Sequence, residues 1–295
     1  MKILIGYDGS ECANEALLDL RRAGLPHQAD VIVEAVTETW LPPPAALELT
    51  QGITREQENL ALARRAKAML EIEFPDWDIQ AQTDDGSPAS VLLKKADVWK
   101  PDLIAVGSHG RSALGRFFFG SVSQKVLHEA HCSVRIGRLR EGAPIKAATD
   151  PVRIIVGVDG SPDAQAAINA VAVRCWPTGS QVRLVNGFAK MPYAVSGEMA
   201  VELDGWFARE SARVKEMIDE GVAQLCATGV FAAAVMKEEE PKKLLCAEAE
   251  AWQADVIFVG AHGAGRLERF LIGSISGGVA ARADCVVEVV RTPAQ

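Results

Sequence analysis

No two cysteines in this sequence are close enough to suggest a zinc ribbon or a thioredoxin-type pair. The six, Cys12, Cys132, Cys175, Cys226, Cys246 and Cys285, are scattered and form no C-x-x-C, so both sites are unsupported. They read as small core residues in a reducing compartment. Long apolar runs are missing too, for none approaches the ~18–20 residues of a membrane-crossing helix. The opening Met1-Lys2-Ile3-Leu4-Ile5 reaches Gly6, Asp8 and Gly9 too early for the apolar region of a signal peptide. A cytoplasmic location without a membrane partner is therefore expected. Positive charge is short: 31 Lys and Arg face 39 Asp and Glu, for a formal charge of -8. Without a clustered basic stripe to displace counterions from phosphates, nucleic acid is not an expected partner. Also absent are G-x-x-x-x-G-K-[ST], a full G-x-G-x-x-G and G-x-S-x-G, which disfavours P-loop NTPases, dinucleotide dehydrogenases and α/β-hydrolases.

What the chain has is itself, twice. Its 295 residues, 48% hydrophobic and 24% charged, suit a soluble globular protein of two domains. Lys2-Ile-Leu-Ile-Gly-Tyr-Asp-Gly-Ser10 returns as Arg153-Ile-Ile-Val-Gly-Val-Asp-Gly-Ser161, 151 residues later. Pro101-Asp-Leu-Ile-Ala-Val-Gly-Ser-His-Gly110 returns as Ala254-Asp-Val-Ile-Phe-Val-Gly-Ala-His-Gly263, with an offset of 153. Arg116-Phe-Phe-Phe-Gly-Ser-Val-Ser123 matches Arg269-Phe-Leu-Ile-Gly-Ser-Ile-Ser276 at the same offset, as Cys132 matches Cys285. Solenoid repeats are ~20–50 residues long, so this period marks duplicated whole domains. They are placed at 1–142 and 151–295, joined by the proline- and glycine-bearing stretch Glu141–Pro151.

Each half alternates strands with helices. Ile3–Ile5 and Ile154–Val156 are short apolar runs of the kind buried on both faces of a parallel sheet. The helices that follow carry apolar stripes at Ala13, Ala16, Leu17, Leu20 and at Ala164, Ala167, Ile168, Val171. Ser10 and Ser161 stand at N-cap positions, with Pro162 at the first helical position. Further strands are expected at Val31–Val36, Asp78–Gln82, Leu103–Val106 and Val134–Ile136, and at Gln181–Val185, Phe231–Val235, Val256–Val259 and Val286–Val290. Helices are expected near Arg55–Ile72, Ser87–Trp99, Trp206–Cys226 and Pro241–Trp252. The fold class is α/β: two tandem doubly wound five-stranded parallel sheets, Rossmann-like, with right-handed crossovers.

In such sheets ligands bind beyond the carboxyl ends of the strands, where strand order reverses. The distinctive residues fall there. The first strands end in Asp8-Gly9-Ser10 and Asp159-Gly160-Ser161. The fourth end in Gly107-x-x-Gly110 and Gly260-x-x-Gly263, each followed nine residues later by Gly120-Ser121 or Gly273-Ser274 at the start of another helix. Glycine lets a backbone approach a ligand with its N–H groups turned inward, and a helix start adds unpaired donors and a positive dipole end. That combination suits a polyphosphate, with the serine hydroxyl donating to it. The same glycines also suit tight strand–helix turns, and that reading stays open beside the first. His109 and His262 lie inside the loops, where they either reach phosphate or brace the turn. Arg116 and Arg269 are candidates for phosphate or for a surface ion pair. Phe117–Phe119 is expected to pack under the loop, and Trp40 with Pro42-Pro43-Pro44 reads as a mobile loop or a lid.

Each half resembles a universal stress protein domain, and the chain resembles the tandem members of that family over nearly its whole length. The most specific element is the nucleotide signature G-x2-G-x9-G-(S/T), carried by Gly107, Gly110, Gly120, Ser121 and by Gly260, Gly263, Gly273, Ser274. The resemblance implies ATP or another adenine nucleotide with Mg2+ on its phosphates, and an intrachain pairing of the copies through their fifth strands, with a homodimer as a further option. It brings Asp8, Gly9, Ser10, Asp159, Gly160 and Ser161 into the site, Val36 and Gly187 beside adenine, and Val122 and Ile275 next to the loop serines. Two departures set the copies apart: Gly187 replaces Val36, and Glu238–Glu240 precede Pro241 where the first copy has Gly86-Ser87-Pro88. Two sites per chain are expected, the second the weaker because of that acidic run and that glycine. The function expected is an ATP-binding stress protein acting through nucleotide-dependent interactions with a downstream partner. The alternatives are a pairing or adaptor module with empty loops, or a slow ATP-hydrolysing or adenylyl-transferring enzyme, for which no catalytic residue is assigned.

Overall fold

The apolar triplets in the sequence become strands buried on both faces. Leu4, Ile32 and Ile104 have no exposed surface to speak of, and neither do their sheet neighbours Ile3, Val31 and Leu103. A computed structural model describes residues 1–38, 55–110, 119–139, 142, 146–188, 198–263 and 272–292, excepting the side chains of 198–200, 203, 204 and 207. Trp40, Pro42–Pro44, Arg111, Arg116, Phe117, Ala264 and Arg269 lie outside the described residues. Two compact units emerge, one formed chiefly by Met1–Ala148 and the other by Thr149–Arg291.

The first unit runs β1 (Lys2–Gly6), α1 (Glu11–Leu20), β2 (Asp30–Glu34), α2 (Arg55–Glu73), β3 (Asp78–Gln82), α3 (Pro88–Trp99), β4 (Leu103–Gly107), α4 (Ser121–Glu129) and β5 (Ser133–Gly137). Its strands pair in parallel in the order β3-β2-β1-β4-β5. The second unit repeats the pattern: β6 (Arg153–Gly157), α5 (Pro162–Ala172), β7 (Gln181–Phe188), α6 (Glu198–Ala227), β8 (Phe231–Glu238), α7 (Pro241–Trp252), β9 (Val256–Gly260), α8 (Ser274–Arg282) and β10 (Val286–Val290). Its order, β8-β7-β6-β9-β10, is again parallel throughout the described pairings.

The stripes read from the sequence are the buried faces. Ala13, Leu17 and Leu20 of α1 join Ile3, Ile5, Val31 and Val33 in one core, with Ala16 also buried, and Ala164, Ala167, Ile168 and Val171 of α5 repeat this on Ile154, Val156 and Val182. Ser10 and Ser161 cap these helices by accepting the amides of Ala13 and Ala164, which satisfies donors the helix cannot pair itself.

Five elements differ from the sequence expectation. β2, expected to reach Val36, ends at Glu34. β7 and β8 run on to Phe188 and Glu238, pairing residue by residue to their ends. α6 begins at Glu198 rather than Trp206; Gly205, a weak helix former, lies inside it rather than starting or ending it. β5, read as plainly apolar, carries Arg135 at 2% exposure, bonded to Asp19 of α1 at 2.6 Å. The matching position in β10 is Glu288, buried against Arg174. A buried charge survives only when paired.

Candidate functional site

The strand order reverses between β1 and its neighbours β2 and β4, and again between β6, β7 and β9. The chain leaves β1 through Asp8, whose Oδ1 accepts the Ser10 amide at 2.9 Å. Gly9 takes φ 77° there, in the left-handed region that favours glycine. The second unit repeats this with Asp159, Ser161 and Gly160 at φ 80°.

Packing within each unit accounts for several signature glycines. A Cβ on Gly107 would lie 2.8 Å from the Cys12 carbonyl carbon, and one on Gly260 2.6 Å from that of Asp163, so the end of β4 abuts the first turn of α1 and the end of β9 that of α5. A Cβ on Gly110 would meet Asp8 Oδ2 at 2.8 Å, and one on Gly263 would meet Asp159 Oδ2 at the same distance. The aspartates therefore face the glycine loops directly. Gly120 and Gly273 are the N-caps of α4 and α8, extended and without a side chain to satisfy the first amides. Ser123 and Ser276 turn their hydroxyls inward to the carbonyls of Gly107 and Gly260, tying helix start to strand end. Ser121 and Ser274 stay exposed.

A cavity opens at each switch point. The first, ≈ 640 Å³, is lined by Asp8, Gly107, His109, Gly110, Gly120, Ser121 and Val122 on the loop side, and by Gly6, Val36, Pro88, Leu92 and Val106 among its apolar walls. The second, ≈ 330 Å³, is lined by Asp159, Ser161, Gly187, Gly260, His262, Gly263, Gly273, Ser274 and Ile275, with Val185, Leu245 and Val259. Most sequence-designated residues thus converge on the two cavities. Gly9, Ser10 and Gly160 are not among the lining residues; they shape the turn behind Asp8 and Asp159.

The histidines line both cavities but are held differently. His262 Nδ1 lies 2.8 Å from Asp163 Oδ2, which also accepts the His262 amide. The first copy has Cys12 at the position of Asp163, and no such bond holds His109 among the described residues. Phe119 lines the first cavity beneath Arg138, whose guanidinium lies 5.8 Å from its ring centre.

The acidic run does not act as expected. None of Glu238–Glu240 is among the residues lining the second cavity. Glu240 instead caps α7, accepting the amides of Lys242 and Lys243, and Glu239 pairs with Lys243. The charge lies in the first cavity, where sequence reasoning overlooked Glu34, Glu38, Arg55 and Glu58. Glu34 occupies the inward-facing end of β2, with its side chain fully buried against Lys95 of α3, which also bonds Gln82 and Asp84. Burial pushes the Glu34 carboxyl above its ordinary value, and Lys95 pulls it only part of the way back. Burial alone would lower Lys95, but its bonds to Asp84 and Glu34 hold it above the usual lysine value. A charged residue closing an otherwise apolar strand was the available signal, sharpened by Val185 at the same place in the second copy. Tyr7, Thr37 and Asn59 also line the first cavity, Asn59 of α2 bonding Thr37.

No helix among the described residues is long and apolar enough to cross a membrane. No group of three or more His, Cys, Asp or Glu among them is arranged to hold a metal ion. A solved universal stress protein from Archaeoglobus fulgidus shares the fold, with a TM-score of 0.61 at 20% identity, covering 99% of this chain and 96% of that one. A universal stress protein of Mycobacterium tuberculosis is 25% identical over 307 residues, covering 97% of this chain and 96% of the relative. One from Thermus aquaticus is 36% identical over 139 residues, covering 46% of this chain and 97% of its own. The universal stress protein family model matches residues 1–138 and again 152–291. The chain belongs to the universal stress protein family, as a tandem of two such domains.

Proposed function

We propose that each unit holds an adenine nucleotide, ATP with Mg2+ on its phosphates, and that the protein serves a cytoplasmic stress response through partners that sense the bound nucleotide. The observation that carries this reading is the glycine-capped start of α4 and of α8 at each cavity. Both helices begin without a side-chain cap, so their first amides and positive dipole end are available to a phosphate. Packing explains Gly107 and Gly260 without any ligand, so those two carry no weight. The uncapped helix starts, together with apolar walls in the same cavities, are what support a nucleotide over empty loops.

In this reading the amides beyond Gly120 and Gly273 and the hydroxyls of Ser121 and Ser274 take the phosphates. Val36, Leu92 and Val106 enclose the base in the first unit, as Val185, Leu245 and Val259 do in the second. Mg2+ arrives on the nucleotide, with Asp8 and Asp159 beside the loops. The metal screens phosphate charge in a chain that is acidic overall.

Titration calorimetry with Mg-ATP tests the proposal. Two nucleotides per chain are expected, and Ser121→Ala and Ser274→Ala should each weaken one event by roughly ten- to hundredfold, the worth of one hydrogen bond to a charged group. Absence of binding at millimolar Mg-ATP would overturn the reading.

A further inference from the structure

The two cavities differ most at one position. Glu34 pairs with Gly6 across β1 and β2, as Val185 pairs with Gly157 across β6 and β7. Both residues line their cavities. Val36, two residues beyond Glu34, lines the same cavity.

Glu34 uses one carboxylate oxygen fully. Oε2 bonds the Lys95 ammonium, while Oε1 is buried with no partner in ordinary hydrogen-bond geometry, the Asp84 amide being the weakest of the influences on the carboxyl. The groups about it are Lys95 from α3 and Asp84 from the segment after β3. The amide of Asp84 favours the ionised carboxyl, and the Asp84 carboxylate opposes it. A buried acceptor left unpaired is costly, and a ligand N–H that reaches it recovers that cost. Glu34 stands among apolar walls at Gly6, Val36, Leu92 and Val106, a polar mark on the surface that would meet a flat base.

We propose that Glu34 reads the exocyclic 6-amino group of the base, making the first unit selective for a 6-aminopurine over its 6-oxo or 6-unsubstituted counterparts, while the second, with Val185, is indifferent to that group. This rests on the adenine-nucleotide reading above and adds which residue selects the base, and in which unit. An amine donates to Oε1, whereas an analogue lacking it leaves the oxygen stranded. Against Val185 the same change removes no hydrogen bond.

The test compares ATP with purine riboside 5′-triphosphate, which carries hydrogen in place of the 6-amino group, on the full-length chain by two-site calorimetry. One binding event should weaken roughly tenfold or more on loss of the amine, and the other should stay nearly unchanged. In Glu34→Val, where Lys95 keeps Asp84 and Gln82, and in Glu34→Val with Lys95→Met, that selectivity should vanish. If neither nucleotide binds the wild-type chain, the adenine reading itself fails. If ATP binds but both events respond alike to loss of the amine, the inference is overturned with the nucleotide reading intact. Selectivity surviving Glu34→Val, or an event tighter for GTP than for ATP that is lost with Glu34, overturns it equally.

Discussion

Gly137, the last residue of β5, sits against α1 with no room for a side chain. A Cβ there would lie 2.4 Å from Ala16 Cβ and 2.5 Å from Ala16 Cα, and helix or strand would have to move. Gly137→Ala should therefore destabilise the first unit by about 1–3 kcal/mol, the usual cost of overpacking, read as a lower midpoint in urea. A variant as stable as the parent would mean that α1 rides farther from the sheet. The second unit carries Val290 at the matching place and buries it, so its helix–strand spacing differs there. No spacing rule distinguishes the two positions. The glycines at 107, 110 and 120 were legible as a motif because they recur together, whereas Gly137 depends on how closely one alanine approaches.

Among the elements, α3 concentrates two testable features. Lys95 compensates a carboxylate that has no other way to stay charged in the sheet. In Lys95→Met the buried Glu34 loses its partner, at a cost of about 3 kcal/mol when it is ionised. The folded-state value of Glu34 lies above the ordinary 4.5, so the fold prefers its neutral form. That preference is fully expressed below the unfolded value and is lost as pH rises through the folded one. Removing Lys95 raises the folded value further, so the variant's deficit should be small near pH 4 and grow toward neutrality, measured by chemical denaturation across that range. A deficit independent of pH would point to lost packing alone.

The same helix ends on Lys100 in the left-handed conformation at φ 52°, as α7 ends on Gln253 at φ 53°. Left-handed backbone costs a side-chain-bearing residue roughly 1–2 kcal/mol that glycine avoids. Lys100→Gly should accordingly stabilise the first unit by about 1 kcal/mol, less the added freedom of glycine when unfolded, seen as a raised melting midpoint. Helix and strand positions were legible because apolar periodicity and cap residues act locally. The long tails of β7 and β8 were not, since they follow from pairing with each other rather than from composition. Nor was the placement of Glu238–Glu240 outside the cavity lining, because a capping contact and a cavity wall look alike in one dimension.

For the whole molecule, the duplication supplies two scaffolds that agree on the loop geometry and differ in what lines the cavity. If folded protein alone binds Mg-ATP, a concentration 100 times Kd should stabilise a site by about 2.7 kcal/mol. Scanning calorimetry of the intact chain should thus register an upward shift with Mg-ATP that shrinks in Ser121→Ala and Ser274→Ala. No shift at millimolar nucleotide would leave the folded units as the whole of the protein's stability. The two-domain organisation was legible because a repeat is a property of the sequence itself. The unequal cavities were not, for they arise where single residues of the copies have diverged.

Gly187 shows how such divergence becomes hard to reverse. Its missing side chain is not spare room, since a Cβ would lie 2.8 Å from Pro241 Cα and 2.9 Å from the Glu239 carbonyl oxygen. The backbone before α7 occupies the space that a side chain at 187 would need. Placing valine there by Gly187→Val should destabilise the second unit, in a urea titration, while transplanting the segment before α3 together with valine should be tolerated. If the single change were harmless, the loop would be free to retreat. Otherwise the two halves have diverged past simple exchange: the first copy's wall can enter the second only as a block, never one residue at a time.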